Sequence, residues 1–266
     1  MSVEFSQPPQ ISVDPYSRSF EDIKDFSHIT PHTELFRADT EMHQAFTAAS
    51  ESANPDDWFR IVSAGCSFGA EIDTAFALMH RNMPDQKVGI MGLDNNTEAF
   101  LSAQDGVYVV PTSLMGQRQR YANEGYDFDQ AMQDHGIEVT TGGPYTYPIL
   151  NAQPLRQSEN MRLKLVQHDL RDALPTSKAA NLVLCHNVLF HQKEDDAKRI
   201  VTNLTGKLAV GGVLSLGANP AQTGMEGNRG RNYDEWIAET TDYLAGHDLS
   251  RVPTDNPKFV AFQRQA

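Results

Sequence analysis

Two acidic residues stand just past stretches that read as buried strands, and they define the chemistry to look for. The run Trp58 to Ala64 leads into Gly65-Cys66-Ser67-Phe68-Gly69-Ala70-Glu71, a loop of small residues that lets a ligand approach the backbone before an acid is met. It is not the G-x-G-x-x-G dinucleotide fingerprint, and a glutamate facing the ligand suits a cation better than a pyrophosphate. No G-x-x-x-x-G-K-[ST] follows a strand, because Thr205-Gly206-Lys207 ends a helical stretch, so a P-loop is excluded. The second acid, Asp94, closes the run Lys87 to Leu93. In open α/β sheets that position accepts the two hydroxyls of a ribose, and it equally suits a cap for a helix starting near Asn96. One acid for a ribose and one for a positively charged amino group together fit S-adenosylmethionine, a nucleoside joined through a sulfonium to a methionine zwitterion.

The elements that would position these acids follow from periodicity. Residues 58–65 read as a strand and 70–81 as a helix, with Ile72, Ala75, Phe76 and Met79 at helical spacing. Strand 87–94 and helix 96–104 repeat the unit, and two βα units in a row require helical crossovers and hence a parallel, doubly wound sheet. The sheet resumes with strands at 163–170, 180–190 and 210–217 and an amphipathic helix at 193–208 that places Ala197, Ile200, Val201, Leu204 and Leu208 on one face. A loop over 221–232, a helix over 233–244 and a last strand over 258–265 complete the pattern. Residues 105–160 form an irregular insertion with a helix near 112–123 and a small hairpin around 137–150, marked by Thr141-Gly142-Gly143-Pro144. Its Tyr108, Tyr121, Tyr126, Tyr145 and Tyr147 suit an acceptor pocket or ordinary packing. Residues 1–27, broken by Pro8, Pro9 and Pro15, read as an arm, which leaves 28–266 as the domain.

Composition narrows the function classes. The 266 residues carry 35 acidic against 22 basic side chains, a net charge of −13, so the summed field repels phosphate backbones and anionic lipid. Nucleic acid and membrane are therefore not expected partners. The start lacks a basic and an apolar signal segment, so a cytoplasmic protein is expected. Cys66 and Cys185 lack the C-x-x-C spacing of a metal or redox motif. They end what would be adjacent strands, where their thiols would lie close beside the cofactor or fill crowded packing. His28 and His32 have helical ligand spacing, but Pro31 between them argues against a helix, and no metal is expected.

Five segments resemble, in order and spacing, the chemotaxis-receptor glutamate methyltransferases of the CheR type. IVSAGCSFGAEIDTA resembles that family's S-A-x-x-S-T-G-E-E-P-Y-S, GLDNNTEAFLSAQDGVY its S-D-I-D-x-x-x-L-x-x-A-x-x-G-x-Y, and LCHNVLFH its F-C-R-N-V-x-I-Y. LAVGGVLSLG resembles L-x-P-G-G-x-L-x-L-G, and ITPHTELFRADTEMHQAF resembles the N-x-T-x-F-F-R-D segment ahead of the catalytic domain. The resemblance spans about 28–217. It implies a class I, Rossmann-like methyltransferase fold, a doubly wound and mostly parallel seven-stranded sheet with a small inserted subdomain, and S-adenosylmethionine as cofactor with S-adenosylhomocysteine as product.

Carried over position by position, the resemblance implies that Thr33 and Arg37 contact cofactor and substrate. Gly65 and Glu71 then serve the methionine end, Asp94 the ribose, Asp169 and Leu170 the adenine side, and Asn187 and Val188 the turn after the fourth strand. Pro31 replaces the family's asparagine, Ala70 the first glutamate of its pair, and His186 the arginine before Asn187, while His191 stands where the family has a tyrosine near the transferred methyl. The arm has no counterpart of the family's helical N-terminal domain, so receptor docking is not expected. A carboxylate acceptor, with a pKa of about 4, arrives ionised and needs no base. Arg37 would then clamp it through two charge-assisted hydrogen bonds, unless it pairs with Glu34 or Asp39. An amine or hydroxyl acceptor needs a base, for which His191 is the candidate, unless it caps the helix at 193. The expected activity is O-methylation of a carboxylate on a protein or small molecule. Two alternatives stand beside it: N- or O-methylation of a small molecule through His191, and binding of S-adenosylmethionine or S-adenosylhomocysteine without turnover.

Overall fold

The computed structural model describes residues 39–96, 103–104, 106–109, 138–140, 149–152, 156–157, 159–186, 188–189, 192–218, 241–253 and 259–265. The chain divides into two units, Met1–Pro31 and His32–Ala266, and the first lies wholly outside the described residues, as does the expected helix at 112–123.

Helix α1 (Asp39–Glu51) precedes strand β1 (Phe59–Ala64), helix α2 (Ala70–Asn82) and strand β2 (Val88–Asp94). Three short strands of the insertion follow, β3 (Val107–Val109), β4 (Glu138–Thr140) and β5 (Ile149–Asn151). The chain then gives β6 (Met161–Gln167), β7 (Ala180–Leu184), helix α3 (Glu194–Thr205), β8 (Leu208–Ala218), β9 (Leu249–Arg251) and β10 (Phe259–Arg264). Residues 241–245 are helical. No described helix is long and apolar enough to cross a membrane.

Seven strands form one sheet in the order β6-β2-β1-β7-β8-β10-β9. Strands β6, β2, β1, β7 and β8 pair in parallel, and β10 runs antiparallel to both β8 and β9. This is the doubly wound, mostly parallel, seven-stranded Rossmann-like sheet that the sequence leads one to expect. The chain winds from β1 outward to β6, then returns to the other side of β1 at β7, so the winding reverses between β1 and β7. In open sheets of this kind ligands bind at such a reversal, outside the carboxyl ends of the strands.

The near-continuous apolar runs of β1, β2 and β7 bury both faces of the sheet, as parallel strands between helices do. Ile61, Leu182, Leu184 and Val213 pack with Ile72, Phe76 and Met79 of α2 and Met42 and Phe46 of α1. Val62, Val183 and Leu214 pack on the other face with Ile200, Val201 and Leu204 of α3. The two cysteines fall on opposite sides: Cys66 belongs to the α2 core and Cys185 to the α3 core. They do not lie together: Ala64 and Cys185 share the α3 core, whereas the chain turns at Gly65, φ 78°, and carries Cys66 into the α2 core, so each thiol fills packing, the second of the two readings. Both thiols are buried, and burial pushes their pKa values far up.

Strand β7 ends at Leu184 rather than at residue 190. The Cys185 amide still bonds the Ser215 carbonyl at 2.8 Å, and His186 then turns. The inserted subdomain holds the expected strand pair plus one more strand, since β5 lies between β3 and β4 and is antiparallel to both. Its attachment is ionic. Arg156, with a side chain 5% exposed, grips the fully buried Asp73 of α2 with two bonds, Nε to Oδ1 at 2.6 Å and Nη2 to Oδ2 at 2.8 Å. Its Nη1 also donates to the Ala103 carbonyl at 2.6 Å. Gly106, at φ 61°, lies flat on the guanidinium, where a Cβ would sit 2.9 Å from Arg156 Cζ.

Candidate functional site

The loop between β1 and α2 is wound tightly, with Gly65, Ser67 and Gly69 at φ 78°, 49° and 87°. Glycine adopts such angles without strain, whereas Ser67 needs support. That support comes from Asp94, whose Oδ2 accepts the Ser67 N–H at 2.8 Å. The other oxygen of Asp94 accepts the Asn96 N–H at 2.8 Å. Asp94 therefore does cap the turn after β2, and it also ties that turn to the loop after β1. A carboxylate accepts about four hydrogen bonds, so this double tether is compatible with a diol ligand.

Gly65 meets Val188 across the topological switch point: a Cβ at Gly65 would lie 2.4 Å from Val188 Cγ2. The loops after β1 and β7 thus touch, and only a glycine permits it. Next along the rim, the His168 N–H bonds the Asp94 carbonyl at 2.8 Å, and the His168 ring Nε2 is buried with no hydrogen-bond partner among the described residues. An unpaired buried polar atom costs about 1–3 kcal/mol until something pairs with it. Asp169 accepts from the Arg171 backbone and side chain, and that guanidinium holds its carboxyl down at about 2. Leu170 is buried in the α3 core, with its carbonyl bonded by Asn203 Nδ2 at 3.0 Å.

Glu71, on the first turn of α2, sits on the other side of the loop. Its Oε1 accepts the Ser63 hydroxyl at 2.7 Å, and its Oε2 lies 2.7 Å from His186 Nδ1. His186 Nε2 is in turn 2.8 Å from Ser215 Oγ. The structure therefore gathers six of the expected residues, Gly65, Glu71, Asp94, Asp169, Leu170 and Val188, at the carboxyl ends of β1, β2, β6 and β7. Thr33, Arg37, Asn187 and His191 lie outside the described residues, as do Tyr121, Tyr126, Tyr145 and Tyr147.

Sequence reasoning missed Ser63, Ser215, His168 and the Asp73–Arg156 pair. A signal existed for three of these. Ser63 and Ser215 are hydroxyls inside otherwise apolar strand runs, and Asp73 interrupts an apolar helix face. A buried polar side chain in such a place needs a partner. For His168 and Arg156 no comparable signal existed.

The donor set fits S-adenosylmethionine: an acid beside a permissive loop for an ammonium, a second acid at the tip of the next strand for a diol, and an orphaned ring nitrogen beyond it. Among the described residues no group of three His, Cys, Asp or Glu side chains is placed to hold a metal ion.

Comparison with known proteins agrees with this reading. The family described as CheR methyltransferase, SAM binding domain, matches residues 31–230. No curated protein matches the chain significantly. Among solved structures, the magnesium protoporphyrin IX methyltransferase of Synechocystis PCC 6803 with bound SAM is 12% identical with a TM-score of 0.45, over 86% of this chain and 79% of that one. The N-methyltransferase NodS of Bradyrhizobium japonicum is 13% identical with a TM-score of 0.43, over 86% and 97%. PKMT2 of Rickettsia typhi in complex with AdoHcy is 12% identical with a TM-score of 0.40, over 81% of this chain and 31% of that one, so this chain spans about a third of its length.

Proposed function

Since the chain belongs to the CheR methyltransferase family through its S-adenosylmethionine-binding domain, we propose that this S-adenosylmethionine-dependent methyltransferase forms a methyl ester on a carboxylate of a protein or small molecule. The observation that carries the acceptor class is Arg37 in Thr33-Glu34-Leu35-Phe36-Arg37, inside the matched region. A permanent, planar cation suits an acceptor that arrives ionised.

In this reading Glu71 receives the ammonium of the methionine end and Asp94 the ribose hydroxyls. Asp169, Leu170 and His168 line the adenine side, Thr33 supports the methionine end, and Asn187 and Val188 close the pocket beside Gly65. The bound cofactor supplies a sulfonium methyl already activated for displacement. The protein then has to align the acceptor and exclude water, which is worth several kcal/mol of barrier when the attack is in line. Arg37 would hold the acceptor carboxylate by a bidentate pair, and no proton has to move. The net charge of −13 weighs against nucleic acid and anionic membrane as partners.

A second reading rests on His191, which stands where the resemblance has a tyrosine. A neutral imidazole there would take the proton from an amine or hydroxyl acceptor. Methyl transfer from tritium-labelled S-adenosylmethionine tests both. Product label released by mild base supports the ester, and base-stable label overturns it in favour of the second reading. Ligand binding with no transfer to any acceptor would indicate a binder without turnover.

A further inference from the structure

We infer that His186 is a positioning residue that fixes the direction of the Glu71 carboxylate toward the amino-acid end of the methyl donor. The inference rests on the proposed role of Glu71. Four side chains carry it. Ser63 on β1 and Ser215 on β8 flank Leu184 of β7 in one register row, so both hydroxyls stand on the sheet face that α2 covers. Glu71 reaches down from α2 to Ser63, and His186 spans the remaining gap, with Nδ1 at 2.7 Å from Glu71 Oε2 and Nε2 at 2.8 Å from Ser215 Oγ.

Nδ1 faces a carboxylate and so carries a proton, which it donates to Glu71. Carboxylate, imidazole and hydroxyl stand in the order of a hydrolytic triad, yet Ser215 is completely buried in the middle of a strand. No substrate carbonyl can reach its oxygen, so nucleophilic catalysis is ruled out. What the chain of bonds does accomplish is orientation. The Glu71 and His186 side chains are 13% and 9% exposed, and at that depth a carboxylate is held by its hydrogen bonds rather than by water.

The two acids of this turn are held differently. Asp73, the other acid on the first turn of α2, is matched by the Arg156 guanidinium. Glu71, by contrast, is the acid of this turn that meets Ser63 and His186. His186 donates a hydrogen bond to that carboxylate and so holds its direction.

The test compares S-adenosylhomocysteine with 5′-methylthioadenosine, a nucleoside thioether that lacks the amino-acid end, by calorimetry on the full chain. His186→Ala is expected to weaken S-adenosylhomocysteine about tenfold, the effect of losing a hydrogen bond to a charged group, while 5′-methylthioadenosine changes less than about twofold. His186→Asn, whose amide N–H reaches the Nδ1 position, is expected to restore S-adenosylhomocysteine to within about threefold of the parent. Equal weakening of both ligands in the alanine and asparagine variants, or no weakening of either, overturns the inference. Glu71→Gln separates it from the reading beneath it. If Glu71→Gln leaves the ratio of the two affinities unchanged, the ammonium role of Glu71 is wrong. If that ratio falls while His186→Ala leaves it unchanged, only the positioning role is wrong.

Discussion

Replacing Arg156 by methionine removes a guanidinium that makes two bonds to Asp73, at 2.6 and 2.8 Å, and one to the Ala103 carbonyl, at 2.6 Å. Both charged side chains are buried, so Asp73 would keep its charge inside the protein without the cation that matches it. Orphaning one member of a buried pair costs about 3–5 kcal/mol, against a total domain stability of about 5–15 kcal/mol. With a urea m-value near the upper end of the usual range, about 3 kcal/mol/M, the unfolding midpoint should fall by about 1 M or more with m unchanged. The double variant Asp73→Leu, Arg156→Met removes both charges and both desolvation penalties. It should recover to within about 2 kcal/mol of the parent, because replacing a buried pair by apolar residues is often neutral. Urea titrations followed by tryptophan fluorescence on the parent, both single variants and the double variant close the cycle. A loss below about 1 kcal/mol for Arg156→Met, or a double variant as unstable as the sum of the singles, would refute the reasoning.

Three further outcomes are expected. Asp94→Ala should weaken S-adenosylhomocysteine binding by about 1–3 kcal/mol, roughly 5- to 150-fold, and unchanged affinity in calorimetry would remove Asp94 from the site. Gly65→Ala meets both a positive φ and the Val188 methyl 2.4 Å away, so thermal denaturation should show a loss of about 1–3 kcal/mol, of which Val188→Ala recovers only the steric share. Arg171 holds the Asp169 carboxyl at about 2 against an ordinary 3.8, so the pair's stabilisation is complete above about pH 4 and fades as the pH falls from about 4 to about 2. Arg171→Ala should abolish that part of the acid dependence, and an unchanged acid-unfolding curve would contradict it.

The sequence carried the architecture because each layer left a local trace. The apolar strand runs, the helical spacing of Ile72, Phe76 and Met79, and the small-residue loop from Gly65 to Gly69 are read from neighbours alone. They were enough to place Glu71 and Asp94 at the ends of two parallel strands, since such ends face one crevice. The end of β7 was less legible: the apolar run continues to Phe190, yet the strand stops at Leu184 and His186 turns toward Glu71. The cysteines show the same limit. Adjacent strands put them near one another in sequence logic, and the turn at Gly65 carried Cys66 into the opposite core from Cys185.

What the sequence determined by itself is the type of chemistry, because acid type, the small residues of a loop and the succession of strand and helix along the chain are local properties that survive any change in distant packing. Only the tertiary structure decided how each acid is held. Glu71 finds Ser63 and His186, His186 finds Ser215, Asp94 ties two loops together, and Asp73 is matched by an arginine from the inserted subdomain. These partners lie on different strands and segments, and burial raises the cost of an unpaired polar group until the fold supplies one. Burial and pairing are properties of the assembled sheet, so no window of sequence contains them.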